Sequence, residues 1–145
     1  MPDRDFSAVG ATLSAKGAPT LEARRQQVLL ATIQAIGAGE LGALPSFLAE
    51  DVEFQIHGLL TMDGSWRGVA QVVAAMASNF SRVSDQKPTI EAMIQQGDGI
   101  ALRFHETGRL QGNNAAYVAR GVIWFSFVEN RISRVEEFIH SALLP

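Results

Sequence analysis

The stretch Gly39 to His57, GELGALPSFLAEDVEFQIH, decides the fold. Leu41, Leu44, Phe47 and Leu48 recur at helical spacing after a helix-stopping glycine. Val52, Phe54 and Ile56 then alternate with Glu53, Gln55 and His57. The apolar period changes from that of a helix to the two-residue period of a strand within a dozen residues. A pair of helices therefore leads directly into the start of a sheet.

Upstream, Thr20 is suited to cap a helix whose first turn carries Glu22. Val28, Leu29, Thr32, Ile33 and Ile36 form its apolar stripe, and Gly37 and Gly39 end it. Residues 1–19 are rich in Gly, Ala, Ser and Asp and end in Pro19, which reads as a flexible arm. Residues 20–145 read as a single domain.

Downstream, Gly58 to Gly68 reads as a loop holding Met62, Asp63 and Trp66. Val69, Val72, Val73, Met76 and Phe80 give the inner face of a third helix. The remainder reads as an antiparallel meander: Thr89–Gln96, Ile100–Leu110, Ala116–Val128 and Arg131–Ile139, separated by turns rich in Gly, Asn and Asp. Ala116–Val128 is apolar on both faces, so a second layer must cover it. A second copy of the chain, packed sheet against sheet, is the simplest cover, with Trp124 in that interface.

The composition narrows the function. The 145 residues are 47% hydrophobic and 19% charged, with a formal net charge of −3. That balance gives no general attraction to nucleic acid or to an anionic membrane. The chain has no cysteine, so disulfides, thiolate chemistry and cysteine-bound zinc are excluded. The apolar runs fall short of the ~20 residues needed to span a bilayer, and Asp3 and Asp5 argue against a signal peptide. A cytoplasmic protein is expected. No serine-hydrolase elbow, phosphate loop or basic-aromatic interleaving occurs. The histidines His57, His105 and His140 show no metal-ligand spacing, and no metal or cofactor is expected.

Gly39-Glu40-Leu41, Leu48-Ala49-Glu50-Asp51-Val52, Gly68, Gly97-Asp98 and Arg131-Ile132-Ser133-Arg134 follow one another in an order that resembles the nuclear transport factor 2-like superfamily. Its members include ketosteroid isomerases, SnoaL-like polyketide cyclases and limonene epoxide hydrolases. The resemblance spans roughly Leu21 to Ile139. It implies an α+β, cystatin-like cone: a curved, mainly antiparallel sheet and three N-terminal helices enclosing a pocket.

Ketosteroid isomerases work with an Asp base and with a Tyr and a protonated Asp as donors. Alignment places Thr32, Ile56 and Ile123 at those three positions, so that arrangement is missing. The resemblance to epoxide hydrolases instead turns Arg103, His105 and Thr107 inward on one strand, and Val135, Glu137 and Ile139 inward on the last. His105 is then a candidate general base oriented by Glu137, and Arg103 a candidate charge stabiliser.

Simple alternation gives the opposite orientation. It buries Ile100, Leu102 and Phe104 and turns Arg103, His105 and Thr107 to water. Glu137 follows Glu136, and one of the two must point outward. The expected lining of the cone is Phe47, Phe54, Ile56, His57, Trp66, Ile123, Phe125, Val135 and Ile139. Such a lining suits a small hydrophobic ligand. Two functions follow: acid–base catalysis of the isomerase, cyclase, dehydratase or epoxide hydrolase type, or non-catalytic binding or dimerisation.

Overall fold

The computed structural model describes residues 19–58 and 63–143. Most of the expected N-terminal arm, Met62 and the last two residues lie outside the described residues. Helix α1 spans Leu21–Gly37, and Thr20 caps it by accepting a hydrogen bond from the Ala23 amide. At its end the Glu40 amide donates to Ala35 and the Gly39 amide to Ile36. This closing turn needs the left-handed φ of +72° that Gly39 adopts. The chain then forms a 3-10 helix, Leu41–Ser46, and enters strand β1, Leu48–His57.

The expected loop after β1 contains a short strand, β2, Gly64–Arg67, which pairs Trp66 with Phe54. Helix α2 follows, Val69–Ser81, then β3 (Val83–Gln96), β4 (Gly99–Leu110), β5 (Ala116–Val128) and β6 (Arg131–Leu143). The six strands form one curved, unclosed sheet in the order β2-β1-β6-β5-β4-β3. Every pairing is antiparallel except β1 with β6. This is the α+β architecture expected, with helices on the inner, concave side of the sheet.

β3 begins six residues earlier than the periodicity predicts. Asp85, Lys87 and Pro88 are poor strand formers, but β3 is an edge strand and tolerates them through an irregular register between Ser84 and Lys87. β6 likewise continues past Ile139, because β5 opposite it is long enough to pair as far as Leu143.

The core lies between the helices and the lower half of the sheet. Leu29 of α1, Leu44 of the 3-10 helix, Val72 of α2, and Leu48, Val52, Ile100 and Ile132 of the sheet are fully buried. One cation is buried with them. Arg25 stands over the Phe127 ring, donates through Nε to the Glu129 carbonyl at 2.6 Å, and pairs through Nη1 with Asp98 at 2.8 Å. It fastens α1 to the β3–β4 and β5–β6 turns together. No described helix is long and apolar enough to cross a membrane.

The two ends of the Arg25–Asp98 pair differ, since the Asp98 carboxylate is largely in water. Arg25→Ala removes a buried donor from a backbone carbonyl and is expected to cost about 2 kcal/mol. Asp98→Asn is expected to cost less than about 1 kcal/mol. Urea unfolding of the two variants measures the difference.

Candidate functional site

Residues directly opposite one another in a sheet share a face. One such row runs Leu102, Ile123, Glu137, Ile56 across β4, β5, β6 and β1. Leu102 and Ile56 belong to the core, at 2% and 3% exposure. Glu137 therefore faces inward and Glu136 outward. The two isoleucines that flank Glu137 occupy the positions aligned with the isomerase base and donor. A carboxyl thus stands on the strand between those positions.

The Glu137 carboxyl makes no hydrogen bond or ion pair among the described residues. Its pKa is pushed up to about 7, first by burial and then by the negative charge of Glu106. The residue nevertheless keeps some contact with solvent. An acid surrounded by protein yet still touched by water can exchange protons near neutrality.

Glu106 shares this face. It follows Ile100, Leu102 and Phe104 at the same parity, and its partner across the sheet is Ala119. Tyr117 donates its phenol proton to Glu106 Oε2 at 2.8 Å, and Gln86 donates from Nε2 to Oε1 at 3.3 Å. Burial, followed by the bond and charge of Glu106, drives the Tyr117 pKa up, so the phenol stays protonated. Gly108 makes this bond possible. It lies opposite Tyr117, and a Cβ there would stand 2.7 Å from the ring. Parity along β4 was the sequence signal for Glu106; nothing in the sequence marked Tyr117 or Gln86.

The expected trio is split between the two faces. Arg103 sits in an outer row with Val122, Phe138 and His57, and His105 in one with Arg120 and His140. Arg103 is 63% exposed. Both bind Glu91 instead: His105 Nδ1 at 2.7 Å from Oε1, Arg103 Nε at 3.2 Å from Oε2. The hydrogen bond with His105 is the largest cause holding Glu91 below the usual carboxylate range; desolvation opposes it and Arg103 adds to it. The inward placement of Arg103 and His105 is thus corrected. Alternation along β4 is dictated by Ile100 and Leu102, whose burial outweighs any other arrangement.

His57 is corrected in the same way. It stacks on Phe138 on the convex face, ring centroids 4.9 Å apart, with Nε2 3.6 Å from Glu136. Of the expected lining, Phe54, Ile56, Phe125 and Val135 are closed into the core. Phe47, Trp66, Ile123 and Ile139 pack against it and keep exposed surface; Trp66 stacks on Phe54 with centroids 5.4 Å apart. An apolar groove of about 590 Å³ lies elsewhere, between the 3-10 helix and α2, lined by Leu41, Pro45, Val69 and Val73 among others. No titratable group lines it, so it has no proton chemistry. Among the described residues no three His, Asp or Glu side chains gather as metal ligands.

A curved, mainly antiparallel six-stranded sheet with helices packed on its concave side is the nuclear transport factor 2-like α+β architecture. Within it, the model of the SnoaL-like domain matches residues 29–135, and the chain belongs to that family. A solved nuclear transport factor 2-like protein from Burkholderia xenovorans is 22% identical, with 80% of this chain and 88% of that one covered and a TM-score of 0.68. A protein from Jannaschia named as a SnoaL-like polyketide cyclase is 15% identical, with 86% and 91% covered and a TM-score of 0.74. One from Xanthomonas campestris, named as a polyketide cyclase, is 18% identical, with 82% and 92% covered and a TM-score of 0.65. These likenesses establish the fold. No curated protein matches the chain.

The raised pKa of Glu137 makes stability depend on pH. Between the ordinary carboxylate range and about 7 the folded chain holds a proton that the unfolded chain has lost. Stability from this group is therefore present at low pH and falls as pH rises through that window. Glu137→Gln is expected to remove the fall, so that its melting temperature overtakes the wild type's between about pH 5 and about pH 8. Thermal melts across that range check it.

Proposed function

We propose that this SnoaL-like protein is an acid–base catalyst for a small, largely hydrophobic molecule, with Glu137 moving the proton. One observation carries the proposal: an inward carboxyl set between two isoleucines, without a hydrogen-bond partner among the described residues, whose pKa burial and the charge of Glu106 push up to about 7. A base of that strength is ionised often enough at neutral pH to accept a proton, and its conjugate acid can return it. Proton removal from carbon, and return to carbon or to a leaving oxygen, is the step shared by isomerisation, aldol-type cyclisation and dehydration. Trp66, Ile123 and Ile139 offer the apolar surface that would hold the substrate beside it. Glu106, held by Tyr117 and Gln86, acts on Glu137 through its charge. His105 and Arg103 play no part in this scheme.

Ring opening of nitrobenzisoxazole tests the proposal. A carboxylate removes the ring C–H proton as the N–O bond breaks, and the released phenolate is coloured. The rate is expected to rise with pH through about 7 and to fall by at least about a hundredfold in Glu137→Gln. His105→Ala is expected to keep the wild-type rate. The competing reading is a non-catalytic binder, which the missing isomerase trio at Thr32, Ile56 and Ile123 favours. A binder would show no turnover above the Glu137→Gln background and would lose affinity on Trp66→Ala alone.

We further propose that the chain is a homodimer joined through the convex face. Val122 and Phe138 lie directly opposite each other there and are 40% and 48% exposed. Exposed neighbours of that size in mid-sheet call for a cover. Val122→Asp with Phe138→Asp is expected to yield monomers in analytical ultracentrifugation; an unchanged sedimentation coefficient would place the contact elsewhere.

A further inference from the structure

We infer that the ligand of the inner face carries a positive charge: an amine or quaternary ammonium group borne on apolar substituents. The inference rests on the proposal that this face binds a ligand, and it goes further by assigning the ligand's charge.

Two carboxyls, Glu106 and Glu137, lie on inner rows of the sheet. No Lys, Arg or His of the six strands shares those rows. Arg67 pairs with Glu53, Lys87 with Thr107, Arg120 with His140 and Arg134 with Ser126, all on outer rows. The inner face of α2 is Val72, Ala75 and Met76, without charge. The cation that α1 turns inward is Arg25, already neutralised by Asp98 and the Glu129 carbonyl.

The two donors beside Glu106, Tyr117 and Gln86, are engaged with it. Among the described residues the face thus offers acceptors and negative charge, and no basic group of the strands to balance them. An anionic ligand would be repelled by the two carboxyls. A cation would relieve the repulsion between the carboxyls and supply the charge that Glu137 lacks. The partly exposed rings of Trp66 and Phe104 suit the apolar shell of an ammonium group.

This arrangement also sets the pH dependence. Among the described residues the charged and titratable groups on this side, besides Glu137, are Glu106 and Tyr117 from the strands, Arg25 from α1 and its partner Asp98 from the β3–β4 turn. With Glu137 ionising near 7, its charged fraction rises roughly tenfold from about pH 6 to about pH 8. Cation affinity must rise with it.

Calorimetric titration of the full chain with choline, and with its neutral carbon isostere dimethylbutanol, tests the inference. Choline is expected to bind about tenfold more tightly at about pH 8 than at about pH 6. The neutral isostere is expected to bind weakly and equally at both. Glu137→Gln should remove the pH dependence, and Glu106→Gln should weaken choline without changing the isostere. The assignment is overturned if the isostere matches choline at the higher pH, or if choline does not bind. Turnover of nitrobenzisoxazole without preference for choline would sink the charge assignment and leave the acid–base proposal standing. Preference for choline without turnover would do the reverse.

Discussion

The structure depends on strand parity. A pleated strand sends alternate side chains to opposite faces, and a buried residue on a row commits every directly opposed residue to the same side. Leu102 and Ile56, sealed under the helices, commit Ile123 and Glu137 between them. The same rule places Arg103 and His105 on the far side. Their adjacency in sequence to core residues does not bring them near Glu137. A one-residue slip of β4 would expose Ile100 and Leu102, at a cost of about 2 kcal/mol for each side chain.

Most of the fold could be read from residue types. Thr20, Gly39 and the Gly, Asn and Asp turns marked the ends of elements, and alternation marked the strands. What escaped was structure stabilised by a neighbour. β2 is four residues long, flanked by glycine, and has no period of its own; it exists because β1 offers an edge and Trp66 stacks on Phe54. The start of β3 was hidden by Asp85, Lys87 and Pro88, residues that only an edge position admits. Local composition does not reveal which strand lies at an edge.

The site was legible in a different proportion. Glu137 was singled out, and it faces inward. Glu106 was available from the alternation Ile100, Leu102, Phe104, Glu106, but alignment to epoxide hydrolases turned that strand over. Two lines of inference conflicted on β4, and side-chain burial settles the conflict in favour of alternation. Tyr117 and Gln86 could not have been found, since their relevance comes from reaching Glu106 across strand boundaries.

The border formed by β3 has one more consequence. A foreign strand approaching it meets the left-handed backbone of Asp85, the ammonium group of Lys87 and a proline without an amide proton at 88. Continuous ladder formation along that rim is interrupted in its first half. Ile94, 67% exposed farther along the same strand, could otherwise nucleate cross-β stacking. The irregularity that obscured this strand in the sequence thus acts as a gatekeeper against fibrillar assembly.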